Sequence, residues 1–415
     1  MVETTRAMPA DNADPVDETS PRYRGWRVVV ACFTMAIFCW GFGFYGQGVY
    51  LATLQQQHGW SPSLVSGAST AYYLFSAILV LVVGDAIKRF GPRCVVLVGI
   101  SCLGASTILV GQITAPWQLF AVYGLMSFGW ASMSVAAIST ILGAWFDKRR
   151  GLAISLALNG ASVGGVLVAP VLVALIAWIG FASTLLYAAL VMVFVLVPMT
   201  LAWVRSPPDA SRALGSAAFT SKPAAAIWTR RRALGDSTFW SIASAFALVL
   251  FAQVGFIVHQ IAFLEPRIGQ TNAGLAVAIT ASMAIVGRVG LGFFIDRLNP
   301  RRVSAISFVS QAVALVGMIW MTDTATLLLA CAVFGFSVGN AITFPALIIH
   351  REFDFAAFPT LIAFSTAIIQ FTYAFGPGVV GFLLNATGSY LVPFMLCAVL
   401  EVIAAIIVLK PLWPK

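Results

Sequence analysis

Long stretches without a charged residue constrain the fold of this chain most. No Lys, Arg, Asp or Glu lies between Val28 and Gly84, between Cys94 and Phe146, or between Gly151 and Val204, and these blocks are 57, 53 and 54 residues long. A helix needs about 20 apolar residues to cross the hydrocarbon core of a bilayer. Each block therefore predicts two membrane-spanning helices joined by a short uncharged turn, which makes six helices in the first half of the chain.

The second half of the chain has five charge-free runs, at residues 237–264, 268–287, 303–322, 324–350 and 355–400. The last run predicts two helices if the second of them carries Glu401, so this half also predicts six. Hydrophobic residues make up 60% of the chain and charged residues only 9%, which excludes a soluble multidomain protein. We therefore predict an all-α membrane protein of twelve transmembrane helices, in bundles of six at residues 27–204 and 237–409.

The positions of the basic residues predict the orientation of the helices. The formal net charge is +9, and 22 of the 24 Lys and Arg residues fall in the two tails and the even-numbered loops. Only Arg267 lies in an odd-numbered loop, and Arg288 lies inside a predicted span. By the positive-inside rule, both termini are predicted to be cytoplasmic. The compactness of the chain favours a bacterial protein, which predicts an inner-membrane location. Because the membrane topology accounts for the excess of basic over acidic residues, no nucleic-acid partner is predicted.

Three segments are predicted to lie outside the membrane. Residues 1–26 contain five acidic residues and no apolar core, which predicts a disordered cytoplasmic tail and not a signal peptide. Residues 205–236 are polar and include a triple arginine, which predicts a cytoplasmic linker between the bundles. Residues 410–415 are predicted to be a short cytoplasmic tail. These segments leave no room for a soluble catalytic domain, so the chain is not predicted to be an enzyme.

A repeated loop relates the two halves of the chain. Residues 84–93, after the second predicted helix, read GDAIKRFGPR, and residues 292–301, after the eighth, read GFFIDRLNPR. The offset is 208 residues, half the length of the chain. Both loops follow the second helix of a six-helix half, so the sequence predicts a duplicated architecture of the kind common in transporters.

The two loops resemble the signature loop Gly-x-x-x-Asp-Arg-x-Gly-x-Arg of the major facilitator superfamily, and the helix pattern is similar to that superfamily over the full length. The resemblance implies a transporter whose signature loops take part in conformational gating. The chain departs from the signature at Asn299, where glycine is usual, and at Lys88, where the family has its aspartate. The implied gating residues are Gly84, Lys88, Arg89, Gly91, Arg93, Gly292, Asp296, Arg297 and Arg301.

A second motif narrows the resemblance to one branch of that superfamily. Residues 145–153 read WFDKRRGLA and are followed by Ala157-Leu158-Asn159-Gly160, which resembles the motif between helices 4 and 5 of the monocarboxylate porters. This branch includes oxalate–formate exchangers. Residues 24–27, RGWR, resemble more weakly the motif that precedes helix 1 in the monocarboxylate porters. The motif residues are Phe146, Lys148, Arg149, Arg150, Leu152, Ala153 and Gly160.

Arg288 is the strongest candidate for a substrate ligand. An arginine at the centre of a membrane helix costs about 3 kcal/mol on insertion scales, so such residues almost always face a partner or an aqueous cavity. Its planar guanidinium can bind a carboxylate through two parallel hydrogen bonds. The resemblance implies the same role, because monocarboxylate porters carry a substrate-binding arginine shortly before the second signature loop. The alternative is an interhelical ion pair with Glu401.

Other polar residues complete the predicted site. Gln47, Asn340 and Tyr373 are substrate-binding candidates on helices that the resemblance implies line the cavity, and the alternative for each is a helix–helix hydrogen bond. Ala284 stands where animal members carry an aspartate for proton coupling. His259 is therefore the candidate for that role, because imidazole titrates in the physiological range. The alternative for His259 is a histidine near the outer mouth that is bonded to water or backbone.

Together these observations predict a secondary transporter of a small organic monocarboxylate, acting by proton symport or anion exchange through alternating access. One buried cation suits a monoanion better than a dicarboxylate. No cofactor and no metal site are predicted, and we expect a monomer in the lipid bilayer. Two alternatives stay open at this point. One is efflux of an amphipathic compound, and the other is a membrane sensor that binds carboxylate without turnover.

Overall fold

The computed structural model describes Glu18, Ser20 and residues 23–146, 149–205, 230–294, 298–341, 343–353 and 358–409. Several predictions fall outside these described residues. They concern the first part of the tail (1–17), most of the linker (206–229), the end of the chain (410–415), and Lys148, Asp296 and Arg297.

Six long helices form the first half of the described chain: α1 (Gly25–His58), α2 (Pro62–Phe90), α3 (Pro92–Val110), α4 (Pro116–Trp145), α5 (Arg150–Ile179) and α6 (Phe181–Trp203). α1 begins two residues before the predicted start of the bundle. It contains a π-helical segment at Gly41–Tyr45, where the wider turn displaces the following side chains. α4 is interrupted at Ser134, which has extended backbone angles.

The second half follows a short helix, Arg230–Leu234, and starts with one continuous helical run, Ser237–Phe294. Gly269, with φ of 80° and ψ of 161°, breaks this run into α7 (237–268) and α8 (270–294). The remaining helices are α9 (Pro300–Trp320), α10 (Thr324–Ala341, continued by Phe344–Glu352), α11 (Phe358–Tyr373, continued by Gly376–Thr387) and α12 (Leu391–Leu409).

Eleven helices in the described ranges are long and apolar enough to cross a membrane, and one of them, Ser237–Leu291, consists of α7 and α8. The prediction of twelve transmembrane helices in two halves is therefore confirmed. Tryptophans at the helix ends are exposed, as is typical of the membrane–water interface. They are Trp117 at the start of α4, Trp178 at the end of α5 and Trp320 at the end of α9.

Two equivalent arginines show the duplication in three dimensions. Arg93 at the start of α3 donates from Nη2 to the carbonyl oxygen of Leu201 at 2.7 Å, near the end of α6. Arg301 at the start of α9 donates from Nη1 to the carbonyl oxygen of Val408 at 2.7 Å, near the end of α12. In each half, the third helix is thus tied to the last turn of the sixth by the final arginine of the repeated loop.

The turns after α2 and before α9 explain one departure from the family signature. Gly91 has a φ of 81°, a backbone conformation that favours glycine. Asn299 stands at the matching place in the second half with a φ of −80°, so its backbone does not require glycine. Its side-chain oxygen accepts a hydrogen bond from the Arg301 backbone N–H at 2.9 Å and caps α9.

The two halves contact each other at mid-depth and at one face of the membrane. We call the side where α1 begins and α12 ends the terminal face. Toward the opposite face, the Gly378 N–H of α11 donates to Thr70 Oγ1 of α2 at 3.0 Å. Gly48 of α1 lies against backbone carbonyls of α7, and Gly274 of α8 packs against Val173 of α5. The helix pairs α1/α7, α2/α11 and α5/α8 therefore form the interface between the halves.

Candidate substrate-binding site

Arg288 lies on α8, and its guanidinium makes one hydrogen bond within the described part of the chain. Nε donates to the carbonyl oxygen of Gly339 on α10 at 3.2 Å. No carboxylate of a described residue pairs with Arg288. The ion pair with Glu401 is not formed, because both Glu401 oxygens are buried without a hydrogen-bond partner among the described residues. Nη1 and Nη2 are thus available to an anion, the arrangement expected of a ligand-binding arginine.

Glycines set the distance between the two helices that hold Arg288. Gly339 lies directly against the Ala284 backbone of α8, and Gly335, one turn earlier on α10, lies against the Thr280 backbone. Close approach of this kind is what small residues allow in membrane helix pairs. It brings the Gly339 carbonyl within hydrogen-bond reach of Nε, so the position of the guanidinium depends on the α8–α10 contact.

Tyr45 reaches the same region from the first half. It belongs to the π-helical segment of α1, and its side chain lies near enough to Arg288 for the two groups to interact electrostatically. The Tyr45 ring packs on Gly165 of α5, and Gly165 also contacts Ala281 of α8. Arg288 therefore lies at the interface between the halves, beside Tyr45.

Two of the predicted ligands lie close to this interface. Asn340 follows Gly339 on α10 and is buried, and its Nδ2 donates to the carbonyl oxygen of Phe336 at 3.1 Å. Tyr373 on α11 is half-buried and contacts Tyr73 of α2 edge-to-face, with ring centroids 5.8 Å apart. The structure thus places Asn340 beside the Arg288 contact and places Tyr373 across the junction of the halves.

Gln47 has a different environment inside the first half. It is fully buried, its Oε1 accepts a hydrogen bond from Ser69 Oγ at 3.0 Å, and its Nε2 donates to Met126 Sδ at 3.4 Å. These contacts join α1, α2 and α4. They are the helix–helix hydrogen bonds that formed the alternative to a ligand role for Gln47.

His259 does not contact Arg288. It is fully buried on α7, with Nε2 3.2 Å from the carbonyl oxygen of Pro377 on α11 and Nδ1 3.2 Å from the Tyr390 hydroxyl. A carbonyl can only accept, so we assign the proton to Nε2 and the acceptor role to Nδ1. His259 therefore links α7 to α11 and to the turn before α12, toward the face opposite the terminal face.

The two signature loops differ in their charge contacts. In the first copy, Lys88 Nζ lies 3.4 Å from Asp85 Oδ1 in an exposed pair three residues apart, and the Arg89 guanidinium lies 5.3 Å from the centroid of the adjacent Phe90 ring. In the second copy, Arg301 is buried and binds Glu352 through two hydrogen bonds, of 2.6 and 2.7 Å.

The contact between Arg301 and Glu352 was not anticipated from the sequence. Glu352 ends α10, 51 residues after Arg301, and no spacing rule relates the two positions. Arg301 Nη1 also donates to Ser241 Oγ of α7 at 3.0 Å. Together with its bond to α12, Arg301 therefore joins four helices of the second half.

The motif between α4 and α5, which resembles that of the monocarboxylate porters, contacts the segment before α1. Phe146 is buried between the rings of Tyr23 and Trp26, at centroid distances of 5.3 and 5.1 Å. Glu18 Oε2 accepts a hydrogen bond from the Arg149 backbone N–H at 2.8 Å, beside the start of α5. Within the predicted tail, Glu18, Tyr23 and Trp26 thus contact the first bundle.

The other described motif residues have separate positions. The Arg150 guanidinium covers Gly143 of α4, Ala153 is buried, and Leu152 is exposed. Gly160 lies against the Phe33 carbonyl of α1 and allows α5 to approach that helix. None of these residues contacts Arg288, which indicates a structural role for the motif at the terminal face.

Sequence reasoning also missed a group of aromatic residues around Phe44, which we call the Phe44 cluster. The Phe44 ring lies 5.1 Å from Tyr45, 6.3 Å from Tyr73 and 6.5 Å from Trp130, measured between ring centroids. Tyr72 and Tyr373 complete the cluster through their contacts with Tyr73. Its members come from α1, α2, α4 and α11, so only tertiary packing brings them together.

Comparison with known families matches the Major Facilitator Superfamily over residues 33–354. The chain belongs to the major facilitator superfamily. It is therefore an integral, multi-pass membrane transporter and not an enzyme. Among solved structures, this transporter is similar to the nucleoside transporter NupG, with a TM-score of 0.74, 15% identity, and coverage of 94% of this chain and 100% of that chain. At this identity the likeness concerns the fold alone.

Curated relatives of this transporter have varied names. It is 24% identical to a gallate transporter of Pseudomonas putida, over 81% of this chain and 80% of the relative. It is 24% identical to monocarboxylate transporter 12 of Rattus norvegicus, over 92% and 84% of the two chains. It is also 24% identical to the aspyridones efflux protein apdF of Emericella nidulans, over 89% and 73%.

Proposed function

We propose that this transporter carries a small organic monocarboxylate, by proton symport or anion exchange, through alternating access of its two halves. The observation that carries the proposal is Arg288, an intramembrane cation at the junction of the halves without a carboxylate partner in the described part of the chain. An unpaired guanidinium inside a membrane is unfavourable unless an anion or water binds it. A substrate carboxylate supplies that anion.

Two relatives support this choice of substrate class, because one is named a gallate transporter and the other a monocarboxylate transporter. The test is counterflow in liposomes that contain the purified protein and a high internal concentration of one unlabelled carboxylate. External labelled carboxylate should accumulate transiently. Binding without counterflow for every acid tried would contradict transport and support the sensor alternative.

Efflux of an amphipathic compound is the second candidate, favoured by the similarity to an aspyridones efflux protein. The two candidates differ in their dependence on Arg288. An uncharged amphipathic compound needs no cation, so its efflux should tolerate the loss of the guanidinium, whereas carboxylate transport should not.

We propose that both termini lie in the cytoplasm of an inner membrane, as the 22 basic residues in the tails and even-numbered loops predict. Gln56 is exposed near the end of α1, and Gly235 is exposed before α7, on the terminal face. In a cysteine-free background, a cysteine at Gln56 should react with a membrane-impermeant maleimide on intact cells, and a cysteine at Gly235 should react only after lysis. The reverse pattern would show that the orientation is inverted.

Proton coupling through His259 stays a prediction. The Tyr390 hydroxyl that donates to Nδ1 can rotate to accept from it, so the same contact tolerates a protonated ring. His259→Gln is therefore expected to abolish uptake driven by an inward proton gradient and to preserve exchange of internal for external substrate. The measurement is pH-dependent uptake in liposomes, with exchange as the control. An unchanged pH dependence of net uptake would leave His259 with only its structural link.

A further inference from the structure

The Phe44 cluster adjoins the candidate carboxylate site. Phe44 and Trp130 are nearly parallel, with 26° between their planes. Tyr45 contacts Phe44 edge-to-face and packs on Gly165, which also contacts Ala281 on the helix that carries Arg288. Tyr73 extends the ring contacts to Tyr373 in the second half. Tyr45 therefore connects the ring surfaces of both halves to the region of the cation that is available to a carboxylate.

Two hydroxyl groups in the cluster lack hydrogen bonds. The hydroxyl oxygens of Tyr72 and Tyr73 are buried and have no partner within the described ranges, and neither side chain is more than 1% exposed. Buried hydroxyls are normally hydrogen-bonded, because leaving one unpaired is unfavourable, and a lone unpaired group calls for an explanation. The Tyr50 and Tyr123 hydroxyls are also buried without a partner among the described residues, and those of Tyr72 and Tyr73 are the two that belong to the Phe44 cluster.

The backbone beside these hydroxyls is also unusual. Phe44 and Tyr45 belong to the π-helical segment Gly41–Tyr45, and π segments within α-helices occur frequently at functional sites. A side chain at Gly43 would meet the Tyr72 hydroxyl, because its Cβ would lie 2.7 Å from that oxygen. Gly43 therefore packs directly against the Tyr72 hydroxyl and the Trp130 ring, where a side chain would not fit.

We propose that the Phe44 cluster binds the ring of an aromatic monocarboxylate that carries ring hydroxyl groups. Arg288 binds the carboxylate, Phe44 and Tyr373 contact the ring, and the Tyr72 and Tyr73 hydroxyls form hydrogen bonds with the ring hydroxyls. An aliphatic acid would occupy the carboxylate site but leave both tyrosine hydroxyls unpaired. The proposal rests on the proposed function, because it requires Arg288 to hold the carboxylate.

Access to this site requires the halves to separate. Tyr73 belongs to the first half and Tyr373 to the second, and their rings are in contact in this structure. Moving α2 away from α11 uncovers the Tyr73 hydroxyl together with one face of the cluster. The same movement that opens the transporter therefore also opens the ring site.

The test is calorimetric titration of the purified full-length protein in lipid nanodiscs with four acids: 3,4-dihydroxybenzoate, benzoate, cyclohexanecarboxylate and lactate. Dihydroxybenzoate should bind tightest, and lactate should bind weakest. Tyr72→Phe and Tyr73→Phe each remove one oxygen and keep the ring, so each should weaken dihydroxybenzoate binding roughly fivefold. Benzoate binding should change less than about twofold, because benzoate has no ring hydroxyl to lose a partner.

The matched control is Tyr187→Phe, since Tyr187 lies on α6 and its side chain is 56% exposed. It should leave all four affinities unchanged. Equal binding of lactate and dihydroxybenzoate, or an unchanged preference for dihydroxybenzoate over benzoate in both tyrosine variants, would overturn the ring site while leaving carboxylate transport intact. If none of the acids bound, both the proposed function and the proposed ring site would be contradicted.

Discussion

Replacing Arg288 by lysine is expected to lower carboxylate transport by at least about 100-fold. Lysine keeps the positive charge but lacks the planar guanidinium, so two parallel hydrogen bonds to a carboxylate become one. We expect this loss to weaken the interaction by about 3 kcal/mol. The thermal stability should change little, because Arg288 contributes one hydrogen bond, to the Gly339 carbonyl, within the described structure. Liposome counterflow and a melting curve on the same preparation measure both effects.

Glu401→Gln is the matched control for this experiment. If Arg288 acted as a structural partner of Glu401, removing either charge would have the same consequence, and Arg288→Ala combined with Glu401→Ala would recover stability and transport. The structure predicts no recovery, because the Glu401 oxygens bind no described group. Recovery in the double variant would contradict the ligand role of Arg288.

Arg301→Ala is expected to destabilise the second half by about 3 kcal/mol. Breaking a buried ion pair by removing one partner leaves an uncompensated charge, and typical losses are 3–5 kcal/mol. Glu352 would lose both guanidinium hydrogen bonds, and the Ser241 hydroxyl and the Val408 carbonyl would each lose a donor. The Glu352 side chain is 30% exposed, which allows some solvation and places the expected loss at the lower end of that range.

The matched control uses the same loop in the first half. Lys88→Ala removes an exposed pair in which the side chains are 53% and 83% accessible, and such pairs contribute about 0–1 kcal/mol. Denaturation of both variants in the same detergent gives the comparison. Equal stability of the Arg301→Ala and Lys88→Ala proteins would show that the partly buried Arg301–Glu352 pair does not hold the second half together.

The number and duplication of the helices were predictable because they depend on local properties. The twelve membrane-spanning helices follow from hydrophobic runs and from the positions of charged residues, and each run can be recognised within a window of about 20 residues. The repeated loop predicted the equivalence of Arg93 and Arg301, which the structure shows in their bonds to Leu201 and Val408. The bilayer leaves an apolar segment few alternatives to a helix, since its backbone groups must hydrogen-bond internally.

The composition of the site was less predictable. Arg288 was identified from the sequence because a charged group within an apolar run is costly wherever its helix packs. Gln47 and Tyr73 show why the remainder was not. The Gln47 side chain forms hydrogen bonds with Ser69 and Met126 within the first half. The Tyr73 hydroxyl, in contrast, has no hydrogen-bond partner among the described residues, at the junction of the halves.

The sequence by itself determined the membrane class, the twelve helices, the two-fold repeat and the presence of one intramembrane arginine. Only the tertiary structure decided that Arg288 contacts Gly339 and not Glu401, that Arg301 pairs with Glu352, and that aromatic rings from four helices form the Phe44 cluster. The physical reason is that hydrophobicity and charge act on each segment separately. The partner of a polar side chain depends instead on how helices that are distant in sequence rotate and approach one another, and here small residues such as Gly339 set that approach.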